Sequence, residues 1–271
     1  MSNDNSTSFS GNIPEYYDNA LVPIIFVDFA AEMARRLAAL KPTHVLETAA
    51  GTGVVTRAMR DALPASIPMT VTDLAAAMLD IARKRFRPGE ALTFQPADGT
   101  ALPFSDNSFD AVVCQFGVMF YPDKDKGYRE VLRVLQPGGT YLFSVWDSHA
   151  HNSYGRIAYE TVAAFFPKDP PQFQKIPFSY PFEAIKDSLT AAGFADINAS
   201  VIRLQKAVPD FRHFARGFIY GTPVIDQVKA RGGVDPEALV AKLTEAYHRE
   251  FGPDGRSIPL QTLFFSAQKP A

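Results

Sequence analysis

Cysteine is almost missing from this chain: Cys114 is the only one. That excludes an intrachain disulfide framework and a thiolate zinc cluster. A long basic run is missing too. Lys and Arg number 27 against 29 Asp and Glu, a net charge of −2, so the footprint of a phosphate-backbone binder is absent and no nucleic-acid partner is expected. The most apolar early stretch, residues 21–40, is broken by Pro23, Asp28, Glu32, Arg35 and Arg36, which excludes a membrane span there. The first ten residues are polar and lack the charged start and apolar centre of a signal peptide. Asp, Glu and His never fall at metal-ligand spacing, so no catalytic metal is expected. Repeats and low-complexity tracts are also absent. What remains reads as a soluble, cytoplasmic protein. Its hydrophobic fraction of 46% suffices for one large core, or a core with a smaller cap.

The chain is organised around residues 45–55, Val-Leu-Glu-Thr-Ala-Ala-Gly-Thr-Gly-Val-Val. Residues 44–48 have the length and apolarity of a buried parallel strand. Small residues follow, and helical spacing resumes at Val54. A strand, a glycine turn and a helix form the first unit of a doubly wound nucleotide-binding sheet. There the backbone passes close to a ligand and the free N–H groups of the helix start face it. A dinucleotide fingerprint needs a third glycine, and Thr56 stands in its place.

Further along, residues 68–72 predict a second strand ending at Asp73, 26 residues after Glu47 and compatible with one βαβ step. A carboxylate there can accept from both ribose hydroxyls, although an ordinary helix N-cap would use an aspartate equally well. A third strand, 91–95, leads to Asp98-Gly99. Asp98 could accept from an adenine amino group, or simply serve the turn. Residues 109–116 read as a central fourth strand, and a helix and a glycine turn at Gly138-Gly139 lead to a fifth, 140–146. Then come a helix over 153–165, a proline- and aromatic-rich loop over 167–181, a helix over 182–192 and a sixth strand over 195–204. Helices over 210–220, 223–230 and 236–251 precede a last strand over 260–267. Asp235 and Pro236 mark the start of the last helix. Residues 1–12 are read as a disordered start, and 26–40 as the first helix.

Three blocks carry a family resemblance: Glu47-x-Ala49-x-Gly51-x-Gly53; Ala97-Asp98 through Leu102-Pro103-Phe104 to Ser108-Phe109-Asp110; and Glu130-Val131-Leu132-Arg133-Val134-Leu135-Gln136-Pro137-Gly138-Gly139. Over residues 43–146 the chain resembles the UbiE-like (type 11) branch of class I S-adenosylmethionine-dependent methyltransferases. One departure is Ala49, where that family usually has glycine. The resemblance implies an α/β, Rossmann-like, doubly wound seven-stranded sheet with an antiparallel last strand, and here the long detour adds a helical cap. It divides the chain into an N-terminal lid (1–40), a cofactor-binding core (41–205 and 259–271) and a cap over the acceptor (206–258).

Such an enzyme transfers a methyl group from S-adenosyl-L-methionine, leaving S-adenosyl-L-homocysteine, to a small, largely apolar or aromatic acceptor. The implied cofactor residues are Glu47, Ala49, Gly51 and Gly53 on the methionine side, Asp73 on the ribose, Leu74, Asp98 and Gly99 around adenine, and Gln115 and Phe116 beside the methyl. Tyr17, Met119 and Phe120, with Phe214 and Phe218 on one stripe of a cap helix, are the acceptor-site candidates, though core packing explains the same apolarity. In-line methyl transfer needs positioning and water exclusion rather than a protein nucleophile. His149, His151 and Tyr17 are the candidates for moving a proton. Two rival functions are a nicotinamide-dependent oxidoreductase, which Thr56 disfavours, and a cofactor-binding protein without transfer activity.

Overall fold

A computed structural model describes residues 9–271. Its centre is a seven-stranded sheet in the order β3-β2-β1-β4-β5-β7-β6. The strands are β1 (Val45–Glu47), β2 (Met69–Asp73), β3 (Leu92–Pro96), β4 (Phe109–Gln115), β5 (Leu135–Trp146), β6 (Ala195–Ala207) and β7 (Ser257–Gln268). The strands from β1 to β5 run parallel, with Glu47 beside Val71 on one side and Val113 on the other. β7 runs against β5: Gly138 donates to the Lys269 carbonyl, Lys269 to that of Gly139, and Asp147 to that of Gln261. This is the doubly wound, Rossmann-like sheet with an antiparallel end that the sequence predicts. The central strands are buried along most of their length. In β4 every residue except Asp110 is buried, as a central parallel strand requires.

The chain divides into two compact units: residues 9–26, 146–179 and 203–261 in one, and 27–145, 180–202 and 262–271 in the other. The second unit carries most of the sheet together with α2 (Val27–Leu40), α3 (Val54–Ala62), α4 (Ala76–Arg83), α5 (Lys124–Val134) and α7 (Phe182–Ala192). Phe29 of α2 meets Phe116 at 5.8 Å and Phe264 at 6.4 Å, ring centre to ring centre, which anchors the helix over β4 and β7. α5 starts at Asp123, whose carboxylate accepts from Lys126 N–H at 2.8 Å, the usual side-chain cap for an unpaired helix N–H.

The other unit is helical. It holds α1 (Ile13–Tyr16), α6 (Ser153–Phe165), α8 (Phe211–Tyr220), α9 (Val224–Arg231) and α10 (Pro236–Phe251). The sequence reading starts the first helix at 26. In the structure the helix begins at Ile13 and continues through a wide π-type segment, Tyr17–Phe26, with Pro23 inside it. Proline has no N–H to give a regular helix ladder, and no sequence period marks a π-type turn. The expected disorder over 1–12 lies mostly outside the described residues. This N-terminal segment is fastened to α8. A Cβ on Gly217 would come within 2.8 Å of Ala20 and Leu21. Tyr16 stacks on Tyr220 at 5.3 Å, and the Arg216 guanidinium lies over both rings. Glu237 then accepts from Arg216 at 2.6 Å and from the Tyr220 hydroxyl at 2.8 Å. No helix among the described residues is long and apolar enough to cross a membrane.

β7 lies between β5 and β6 rather than at an edge, so its backbone serves two neighbours. Removing residues 260–271 should therefore strip hydrogen bonds from both and take away the buried Phe264 and Phe265, uncovering their ring partners Phe29 and Phe143. The expected outcome is a chain without a cooperative melting transition. A truncated chain that melts cooperatively would show that the sheet tolerates the loss.

Candidate functional site

All ten residues expected around the cofactor lie in the second unit, at or just beyond the C-terminal ends of β1 to β4. The turn after β1 is built from left-handed residues: Ala49 has φ of 52°, Gly51 of 56° and Gly53 of 81°. Glycine reaches this region freely, whereas alanine is strained there by about 1–2 kcal/mol. A Cβ on Gly51 would meet nothing within 4 Å, so the space in front of the turn is open. At Gly53 the reason is packing instead, since a Cβ would come within 2.8 Å of Ala82 on α4.

Asp73 holds this turn. Its Oδ2 accepts from Gly51 N–H and its Oδ1 from Ala75 N–H, both at 2.8 Å. Burial pushes its carboxyl above the ordinary range, against these two bonds. Beside it Leu74 is 56% exposed, an apolar side chain facing solvent next to an acid. Such a pairing suits a ligand with a hydroxylated ring and a flat apolar base.

Glu47 ends β1 and is 1% exposed. Burial is the largest influence on it and raises its pKa to about 8, only partly opposed by the Thr56 hydroxyl, which donates to its Oε2 at 2.5 Å. Thr56 itself is fully buried. The residue that breaks the dinucleotide fingerprint is thus the partner of the motif's own acid. This contact, nine positions apart, has no sequence signal.

Two glycines of the site are explained by neighbours. A Cβ on Gly99 would overlap the Tyr121 hydroxyl, and one on Gly127 would come within 2.6 Å of the same ring. Tyr121 fills the gap between the β3 turn and α5, and its hydroxyl donates to Thr48 Oγ1 at 3.3 Å. Likewise a Cβ on Gly117 would overlap the Ala49 methyl and sit 2.8 Å from Cys114 Sγ. Sequence reasoning missed Thr48, Thr56, Gly117 and Tyr121. Asp98 is exposed, and its Oδ1 accepts from Thr100 N–H and Oγ1, each at 2.8 Å. Gln115 and Phe116 are buried where β4 ends, Phe116 with φ of 56°.

The expected acceptor residues fall in both units. Met119 (2% exposed) and the half-buried Phe120 lie in the second, in a 3-10 turn over Val118–Phe120. Tyr17, Phe214 and Phe218 lie in the first. There Tyr17 meets Phe26 at 5.2 Å, while Phe214 and Phe218 contact Tyr154 at 6.2 and 5.9 Å. His151 is exposed. His149 is half-buried, its ring 4.6 Å from Phe178. No group of acidic, histidine and cysteine residues suited to a metal occurs among the described residues.

A parallel sheet closed by an antiparallel strand, with a glycine turn facing open space and a carboxylate at the end of β2, defines a class I S-adenosylmethionine-dependent methyltransferase. The chain belongs to the ubiE/COQ5 methyltransferase family, whose model matches residues 21–182. It is 28% identical over 198 residues to a demethylmenaquinone methyltransferase of Clavibacter sepedonicus, covering 67% of this chain and 80% of the relative. It is 32% identical over 184 residues to the Thermus thermophilus enzyme of the same name, covering 62% and 79%. Among solved structures the YcgJ protein of Bacillus subtilis shares the fold, with a TM-score of 0.59, 19% identity, and coverage of 89% of this chain and 99% of that one. The protein is therefore a methyltransferase that uses S-adenosylmethionine, and the oxidoreductase alternative is set aside.

Glu47 and the Ala49–Gly117 contact each give a prediction. Because the folded Glu47 binds its proton up to about pH 8, the folded state holds more protons than the unfolded one between the ordinary carboxylate range and pH 8. Stability should thus fall as pH rises through that window, by at most about 1.4 kcal/mol per pH unit. Glu47→Gln removes this dependence, so denaturant titrations at pH 5 and pH 8 should show the variant gaining on the wild type at the higher pH. A constant difference would mean that Glu47 is ionised in the fold. Gly117→Ala should destabilise by about 1–3 kcal/mol through overpacking, and Ala49→Gly in the same chain should recover part of this. Strict additivity in that double-mutant cycle would deny the contact.

Proposed function

We propose that the protein methylates a hydroxylated aromatic ring of the quinol type, held largely by apolar contacts. Two observations support this. The relatives are named for demethylmenaquinone and for ubiquinone/menaquinone biosynthesis. The helical unit presents a continuous aromatic cluster in which Tyr154 contacts Trp146, Phe178, Phe214 and Phe218. The family match ends at residue 182, so α8 to α10 lie beyond it.

In this reading Asp73 accepts from the ribose hydroxyls while its backbone bonds keep the turn in place, and Leu74 covers one face of the adenine. Asp98 and Gly99 border the adenine edge. Glu47, with Ala49, Gly51 and Gly53, forms the methionine end, and Gln115 and Phe116 border the methyl. When bound, S-adenosylmethionine supplies a methyl group on a positively charged sulfur. The chain contributes two carboxylates, Glu47 and Asp73, near a cationic ligand, N–H groups at the start of α3, and apolar walls that exclude water. The proposed acceptor contacts are Tyr17 of a lid over 1–40, Met119 and Phe120 of the core, and Phe214 and Phe218 of a cap over 206–258.

The observation that carries the cofactor assignment is Asp73, fixed by two backbone N–H groups beside an exposed leucine. Asp73→Ala should weaken S-adenosylhomocysteine binding about tenfold or more, since a hydrogen bond to a charged acceptor is worth about 1.5–3 kcal/mol. Calorimetry showing equal affinity would remove Asp73 from the site. For the acceptor, incubation with methyl-deuterated S-adenosylmethionine and a 2-prenyl-1,4-naphthohydroquinone should give a labelled ring product by mass spectrometry. Cofactor binding without any labelled product would contradict the quinol assignment.

A further inference from the structure

In the sheet β2 stands between β1 and β3, so the turns that follow β1 and β3 are not neighbours in the ladder. One tie between them runs through Asp73, whose carboxylate accepts from Gly51 N–H and whose carbonyl accepts from Ala97 N–H at 3.0 Å. The bonds inside the second turn are local, from Thr100 to Asp98, and they set its shape rather than its distance from the first. A ligand with an adenine at one turn and an amino acid at the other is held tightly only if that distance is fixed beforehand.

Tyr121 is a second tie, and it is direct. Its hydroxyl donates to Thr48 Oγ1 at 3.3 Å, at the residue before the left-handed Ala49. The same oxygen occupies the place that a Gly99 Cβ would need, and it lies 3.9 Å from Cys114 Sγ near the end of β4. One phenol oxygen thus reaches the ends of β1 and β4 and the turn after β3. The ring is held independently of that oxygen. A Gly127 Cβ would come within 2.6 Å of its edge. Tyr121 N–H donates to the Val118 carbonyl at 3.1 Å, and its own carbonyl accepts from the Lys124 ammonium at 3.0 Å. That ammonium lies over the Tyr180 ring, 5.3 Å from its centre. A phenylalanine at 121 would keep the ring in its slot and remove only the oxygen. Restraint at Thr48 matters because the left-handed backbone of the next residue is costly for alanine, and a looser turn would relax out of it.

We infer that Tyr121 is a positioning residue for the cofactor: its hydroxyl, through Thr48, fixes the methionine-side turn relative to the adenine-side turn and sets how tightly a ligand spanning both is held. This rests on the cofactor placement proposed above. Tyr121 acts through Thr48 and Gly99 rather than by contact with the ligand.

The probes are S-adenosylhomocysteine, which spans both turns, and 5′-methylthioadenosine, which has the same adenosine and sulfur but lacks the amino-acid arm. Each is titrated calorimetrically into the full-length protein. Tyr121→Phe should weaken S-adenosylhomocysteine binding about two- to tenfold, the worth of one neutral hydrogen bond, and change that of 5′-methylthioadenosine less than about twofold. Thr48→Val removes the other end of the same bond and should do the same, and the double variant should bind no worse than either single variant. Asp73→Ala should weaken both ligands, since both carry the ribose. A Tyr121→Phe protein that loses affinity equally for the two ligands, or for neither, overturns the positioning role, as does a Thr48→Val protein with the wild-type ratio of affinities. Asp73→Ala with wild-type affinity for both ligands would instead overturn the cofactor placement, and the positioning role with it.

Discussion

One carboxylate holds the cofactor end of this protein together. Asp73 lies at the end of β2 and accepts from the N–H of Gly51 in the turn after β1 and from Ala75 ahead of α4. Both N–H groups belong to backbone that bends away from regular pairing, where an unmet donor would be costly. A left-handed turn containing Ala49 at φ of 52° needs such an external restraint, because alanine has no intrinsic preference for that conformation. The acid that is proposed to receive the ribose thus also shapes the loop that would receive the methionine end.

Around that bond the site is assembled from steric fits rather than from further charges. Tyr121 fits where Gly99 and Gly127 make room and reaches Thr48 with its hydroxyl. Gly117 makes room for Ala49. Glu47, buried and leaning toward its protonated form, is tied to Thr56 rather than to a cation. A positively charged ligand bound near Glu47 would favour its ionised form, and its binding would then release a proton against the burial cost.

Much of this was legible in the sequence, because the strands of a parallel sheet are continuous apolar runs and its first turn is written in glycine. Gly51, Gly53 and Asp73 fall at the spacing one βαβ step requires, and Asp235-Pro236 announces α10 through its capping chemistry. The illegible parts involve partners that meet only once the sheet is wound. Gly99 reads as a turn glycine, yet its neighbour is a tyrosine 22 positions on. Thr56 reads as a missing glycine, yet it is the hydrogen-bond partner of Glu47. The π-type segment Tyr17–Phe26 has no period to betray it, and the unpartnered Tyr154 hydroxyl emerges only when its aromatic neighbours are in place.

The central claim is that the turn after β1, held by Asp73, is the donor-binding surface. Amide hydrogen exchange followed with and without S-adenosylhomocysteine tests it most directly, since bound ligand must slow exchange where N–H groups face it. The account predicts slowed exchange over residues 48–54, 73–75 and 98–100. Unchanged exchange at Gly51 to Val54 in a protein saturated with the ligand would contradict it.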